Sequence, residues 1–321
     1  MRTRLTDILG VEHPVMLAGM GGVSYHRLVA AVSEAGGFGC FGASTMTSDQ
    51  LRDEIRAARA LTDKPFGVDL LTAMGDRLVA DTRLAIDEGA TLFAAGLGVP
   101  RDVVELCHER GVLVLSMCGK VRHALAAVEA GCDIVVAQGT EAGGHTGQVA
   151  TMPLVPQVVD AVGDRVPVVA AGGIFDGRGL AAALALGADG VWIGTRFIAT
   201  HEARTAPGYK DALVRTAEDG TVISRAFTGK TLRAVRNRVT QHFEEHPEEL
   251  RPFPEQIVAA ISGGWLHLGA DEDTPGVDPE RECYPAGQGV GAIHDVVPAG
   301  ELVQAIVTEA ERTLDRLASL R

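Results

Sequence analysis

The chain has 321 residues, 46% of them hydrophobic, and a formal net charge of -13. That length and apolar share supply a large buried core. The acidic balance argues against nucleic acid as the main partner, because phosphate backbones need a basic surface. It leaves an anionic small ligand open, since such a ligand needs only a local cluster of donors. No stretch is apolar and long enough to span a membrane. The first ten residues carry charges and lack the apolar core of a signal peptide. A cytoplasmic location with no membrane partner is therefore the expectation. The five cysteines, Cys40, Cys107, Cys118, Cys132 and Cys283, are odd in number and without CxxC spacing. They read as reduced, mostly as small core residues, and no local motif supports a catalytic one.

In chain order, short apolar runs alternate with helical patterns. The runs cover residues 13–20, 38–43, 66–71, 91–97, 112–119, 133–139, 166–174 and 190–197. They are continuous rather than alternating, as parallel strands buried on both faces require. Helical segments lie between them, at 49–61, 76–88, 102–110, 122–130 and 179–186. Several lead into glycine just before the next strand, where a left-handed residue ends a helix. The pattern predicts an α/β chain folded as a (β/α)₈ TIM barrel, a fold of roughly 250 residues that tolerates insertions. An open doubly wound sheet is the rival, but it would concentrate its glycines in one GxGxxG after the first strand. Glycines and polar residues recur instead at strand ends around the series.

After Thr200 the composition turns polar and helix-prone. The expected organisation is a barrel core over 1–200 and a helical excursion over 201–269, a lid or small subdomain between strand eight and the last helix. A return loop and barrel-closing helix follow over 270–321. No low-complexity segment or short tandem repeat appears beyond the βα period.

In a TIM barrel the chemistry sits at the C-terminal ends of the strands. Strands seven and eight end in Gly172-Gly173 and Gly194-Thr195. Glycines let backbone N–H groups approach a phosphate, and Thr195 adds a hydroxyl. Such turns can also be merely tight; two of them on the two strands that usually carry the phosphate favour a site. Strand six ends in Gln138-Gly-Thr-Glu141-Ala-Gly143-Gly144-His145, one histidine among glycines on a loop that can lie against a planar ligand. A lone histidine is more often structural; here the preceding apolar strand and small neighbours favour an acid–base role. Glu141 reads equally as a ligand contact or a carboxylate capping the loop. Ala18, Gly19 and Met20 at the end of strand one suit the floor under an aromatic ring. Asp69 ends strand three, pointing into the mouth or bonding a neighbouring loop. Lys120, after strand five, either pairs with an anionic ligand or begins the next helix. No metal site is expected.

The segments "GTEAGGHTG", "TMPLVPQVVDAV", "PVVAAGGIFDGRGLAAALALGADGVWIGTRF" and "PAGQGVG" resemble the nitronate monooxygenase (2-nitropropane dioxygenase) family, over residues 3–307. That family includes the FMN-dependent enoyl-[acyl-carrier-protein] reductases and related flavin acyl-CoA oxidoreductases. The resemblance implies non-covalent FMN on a TIM barrel, with Gly173 and Gly194-Thr195 at its phosphate. It also implies Gln138 and Gly144 along the flavin, His145 near its reactive edge, and Gln288 of "PAGQGVG" returning to the flavin region. Two departures stand out. Leu17-Ala18-Gly19-Met20 replaces the family's usual first-strand motif, and Asp69 stands where the third strand usually ends in Asn. An ionised carboxylate only accepts hydrogen bonds, whereas an amide also donates.

The leading functional expectation is hydride exchange at a carbon conjugated to the carbonyl of an acyl thioester, on acyl-CoA (steroid-ring catabolism included) or acyl-carrier protein. NAD(P)H stays open as electron partner, and a homodimer as assembly. Nitronate oxidation with O₂ is the alternative. A flavin-free phosphate-binding lyase or isomerase barrel belongs to another class, and protein colour separates it from the flavin readings. A non-catalytic binding barrel leaves His145 and its glycines unexplained.

Overall fold

The computed structural model describes every residue except 73, 74, 76, 97 and 321. Its strands in chain order are β1 (Val15–Leu17), β2 (Gly39–Gly42), β3 (Phe66–Asp69), β4 (Leu92–Gly96), β5 (Leu113–Cys118), β6 (Ile134–Gln138), the two-residue β7 (Gly144–His145), β8 (Val168–Ala171) and β9 (Gly190–Ile193). All but β7 form one parallel eight-stranded sheet in the order β1-β9-β8-β6-β5-β4-β3-β2. Its two edges meet. Phe38 N–H donates to Val15 O, Leu17 N–H donates to Phe38 O, and Met16 bridges Phe38 in parallel. The sheet closes into the expected barrel, which leaves no open edge.

The continuity of the apolar runs follows from two buried faces. Met16, Phe38, Leu92, Leu115, Ile134, Val136 and Val169 point inward into one cluster. Their strand neighbours Val15, Leu17, Phe41, Val68, Val114, Val135 and Val168 face outward to the helices. Helix α1 (Arg4–Leu9) adds Leu5 and Leu9 to the inner cluster. Leu5 lies against Gly190, where β9 begins, so α1 stops the N-terminal end of the barrel. The outer ring comprises α2 (His26–Glu34), α3 (Ser48–Arg59), α4 (Arg77–Asp87), α5 (Arg101–Glu109), α6 (Val121–Glu129), α7 (Thr151–Val162) and α8 (Gly177–Ala185). Two expected boundaries, Asp76 at the start of a helix and Leu97 at the end of a strand, lie outside the described residues. Helix α7 carries Pro153 and Pro156, and the absence of their N–H groups obscures it in a propensity reading.

After β9 come the one-turn α9 (Thr195–Ile198) and α10 (Tyr209–Arg215). The segment expected to be helical then departs from that expectation. It forms an antiparallel hairpin, β10 (Thr221–Ser224) and β11 (Leu232–Val235), before α11 (Arg238–Glu245) and α12 (Glu255–Ser262). Strand β11 also pairs with β7, Leu232 opposite His145 and Arg233 opposite Gly144. The excursion is thus stitched to the loop after β6, at the C-terminal face. Four-residue strands inside a charged stretch give too short a period to read. The long α13 (Ala299–Ala318) packs between α8 and α2 and completes the outer ring. Among the described residues no helix is long and apolar enough to cross a membrane.

Candidate active site

The inward alternation that fills the barrel continues to its mouth, where Asp69, Gly96, Met117 and Gln138 end their strands partly open to solvent. Ala18 and Met20 flank the opposite rim beside Gly194; a Cβ there would meet Met20 Sδ at 3.3 Å and Ala18 Cβ at 3.5 Å. Gly19 lies against Asp69, and a Cβ on it would fall 2.3 Å from the Asp69 Cβ. Only glycine lets strand one pass this carboxyl. Although Asp69 keeps some solvent contact, protein packed around its carboxyl desolvates it with no charged group to offset this, and pushes it well above the usual 3.8. The same burial, with Asp69 above it, pushes the Cys40 thiol up. All five cysteines are buried, which removes the catalytic thiol from consideration.

The two glycine turns differ in backbone. Gly172 and Gly173 hold φ of 103° and 70°, in the left-handed range where other residues are strained. Gly194 starts α9, and Thr195 Oγ1 accepts the Gly287 N–H at 2.9 Å, leaving its own proton to donate elsewhere. The chain arrives at Gly287 by returning from the excursion. Gln288 N–H donates to Glu141 O at 2.9 Å, and Gly143 touches Ala286 and Gly287 so closely that a Cβ would sit 2.8 Å away. The loops after β6 and β9 and the 286–288 return therefore interlock. Beside them an open cleft of about 350 Å³ runs between α7 and α8, reached by Gly172, Gly173 and Gln288. Neither His145 nor Asp69 lines it, so it lies apart from the barrel mouth.

Glu141 is taken up by structure. Its carboxylate accepts the Thr151 N–H at 2.9 Å and caps α7, where a negative charge is favoured. Thr151 Oγ1 lies 2.9 Å from both Glu141 Oε2 and Gly172 O, so it ties the cap to the glycine turn. Lys120 is the N-cap of α6 and makes no salt bridge with a described residue. Gln138 Nε2 donates to the His145 carbonyl at 2.9 Å, so its amide fixes the loop that carries the histidine.

His145 is held from three sides. Its backbone pairs with Leu232, its carbonyl takes the Gln138 amide, and its Nε2 lies 3.0 Å from Thr228 Oγ1. His145 is solvent-exposed as a residue. Protein atoms around its ring partly desolvate it and lower its pKa from the ordinary 6.5, and the Lys230 charge adds in the same direction. Both effects favour the neutral imidazole. Beneath the loop, the buried Arg233 donates from Nε to Thr140 O at 3.1 Å and lies 3.3 Å from Thr221 Oγ1. Burial lowers its pKa and the Glu141 charge opposes that; an arginine stays charged regardless. Thr228, Arg233 and Thr151 escaped sequence reasoning. Arg233, one cation inside Leu-Arg-Ala-Val, was the sole local signal.

The strand ends thus bring glycine turns and a histidine loop together at one end of the barrel. A sequence model described as nitronate monooxygenase matches residues 2–309. The chain belongs to the nitronate monooxygenase family. A Mycobacterium tuberculosis protein named (3aS,4S,5R,7aS)-5-hydroxy-7a-methyl-1-oxo-octahydro-1H-indene-4-carboxyl-CoA dehydrogenase is 42% identical over 76% of this chain and 69% of its own. A probable nitronate monooxygenase of Staphylococcus saprophyticus is 35% identical over 84% of this chain and 91% of its own. The solved structure of FabK from Thermotoga maritima superposes with a TM-score of 0.90 at 36% identity, covering all of both chains. The chain is an oxidoreductase of this family; its relatives divide between a CoA-ester dehydrogenase and nitronate monooxygenases.

Proposed function

We propose that this oxidoreductase uses non-covalent FMN to exchange a hydride with an acyl-CoA thioester, with His145 handling the accompanying proton. The observation that carries the reading is the solvent-accessible imidazole of His145, fixed by Leu232, Gln138 and Thr228 on the loop that interlocks with the 286–288 return. Backbone N–H groups of Gly173 and Gly194 and the free proton of Thr195 suit the cofactor phosphate, while Ala18, Met20 and Met117 suit the floor beneath its ring. When bound, isoalloxazine supplies the two-electron acceptor or donor. The chain's own residues do the rest. In the oxidative direction one substrate atom would give up a hydride to a bound flavin, and His145 would take the proton lost from its neighbour. In the reductive direction the imidazolium would return that proton.

Asp69 bears on the departure from Asn. Burial raises the pKa of the Asp69 carboxyl, and its protonated form has an O–H donor and a C=O acceptor, the same pair of contacts as an amide. The CoA ester is favoured over a nitronate by the 42% identity to the CoA-ester dehydrogenase. Lys230 adds a cation at the rim, stacked over the half-exposed ring of Phe253 at 3.9 Å, where a phosphate-bearing substrate would pass. The excursion, paired to β7 through β11, serves as a lid over this mouth.

Anaerobic mixing of the purified protein with a panel of acyl-CoA esters, a nitronate, NADH and NADPH tests the proposal. Bleaching of the flavin band by a CoA ester, or its reoxidation by an enoyl-CoA, is expected. Bleaching by the nitronate alone would replace the thioester reading. A colourless protein that takes up no added FMN would end both.

A further inference from the structure

The hydroxyl of Thr228 reaches His145 from the excursion hairpin, and its hydrogen bonds bear on which imidazole nitrogen carries the proton. Thr228 is buried, on the turn between β10 and β11. Its Oγ1 lies 3.0 Å from His145 Nε2, 3.2 Å from Lys230 O and 3.3 Å from Lys230 N. A threonine hydroxyl has one proton to donate and two lone pairs. The Lys230 carbonyl can only accept and the Lys230 N–H can only donate, so an arrangement that satisfies both gives the hydroxyl proton to the carbonyl and one lone pair to the N–H. What remains toward His145 is an acceptor. In that arrangement Nε2 carries the ring proton, and in a neutral imidazole Nδ1 is left bare. Nδ1 has no hydrogen-bond partner among the described residues, and His145 as a residue is exposed to solvent.

We infer that Thr228 is a positioning residue that fixes His145 as the Nε2–H tautomer, so that Nδ1 is the atom that takes or returns the substrate's proton. The device couples the excursion to the chemistry. Turn 225–230 is held together by Arg225 Nε donating to Gly229 O at 2.9 Å, and Gly229 packs directly on the backbone of Arg251, Pro252 and Phe253. Displacement of the hairpin would withdraw both the strand partner of His145 and the acceptor that sets its tautomer. Lys230 is the charged group set against this ring, and it disfavours a second proton on the imidazole.

The tautomer part stands apart from the catalytic reading of His145, because it is read without substrate. In protein labelled with ¹⁵N-histidine, the two ring nitrogens of His145, assigned by its loss in His145→Gln, report which one is protonated at pH above the titration. Wild type is expected to show protonated Nε2 and unprotonated Nδ1. Thr228→Val, which keeps shape but loses the acceptor, should shift the ring toward a mixed or Nδ1–H state, and Thr228→Ser should restore it. In the substrate half-reaction Thr228→Val should slow the proton-coupled step about tenfold, a fraction of the 10²–10⁴-fold that a positioned proton-transfer group contributes. KM should stay unchanged and Thr228→Ser should approach wild type. An Nδ1–H wild type overturns the inference, as does a Thr228→Val protein with an unchanged tautomer. If the tautomer behaves as stated but His145→Ala turns over normally, the catalytic reading fails while the tautomer assignment stands.

Discussion

Asp69 and His145 are both ionisable groups whose surroundings shift their pKa toward the neutral form, and each makes a pH-dependent claim. For Asp69 the folded-state pKa lies above the unfolded value, so the folded chain binds the extra proton. Its contribution to stability is fully present below about pH 3.8 and is lost as pH rises through the folded value. Asp69→Asn should therefore raise the melting temperature at neutral pH relative to wild type and narrow that gap at low pH, as read by thermal melts across pH. An unchanged difference at every pH would mean that Asp69 is ionised in the fold. For His145 the shift runs the other way, downward from 6.5, because enclosure and then Lys230 disfavour the charged ring. A rate that needs the neutral base should fall only as pH drops below that lowered value. Lys230→Ala removes one of the two causes, so it should move the acid limb of the pH–rate profile toward 6.5. No movement would show that Lys230 does not act on the ring.

At the level of elements, the glycine turns carry the most exposed claim. Gly173→Asp places a carboxylate at a left-handed position beside the Glu141 side chain, where the phosphate is proposed to lie. It should abolish FMN retention, measured as flavin released per protein by heat or acid, while circular dichroism shows the barrel folded. Retention at the wild-type level would move the phosphate site elsewhere. These elements were also the most legible in the sequence. The eight barrel strands are continuous apolar runs because both of their faces are buried, and Gly172-Gly173 and Gly194 announce turns that need no side chain. The hairpin around Thr228 was not legible. Its strands are four residues each, and β11 pairs onward with a two-residue strand, Leu232 opposite His145 87 positions earlier, which local periodicity cannot report. Glu141 was legible as a carboxylate but not as a helix cap, since Thr151 meets it only through the return of the loop. Gln138 likewise serves the backbone of His145, a contact seven residues away that the loop's fold creates.

Over the whole molecule, one barrel brings the ends of strands far apart in sequence to one mouth, and the excursion reaches back to the histidine loop. The barrel supplies rigidity and the strand-end loops supply chemistry, which is the division expected of this fold. The central claim is that the proton of a flavin-dependent reaction passes through His145. Its most direct test is single-turnover flavin reduction by the bleaching acyl-CoA ester, compared across wild type, His145→Ala and His145→Gln from acid to neutral pH. The account predicts that both variants keep their flavin, react about 10²–10⁴-fold more slowly and lose the acid limb that wild type shows. Glutamine can hold a substrate but cannot titrate near neutrality, so a His145→Gln enzyme that keeps most of the wild-type rate would contradict it.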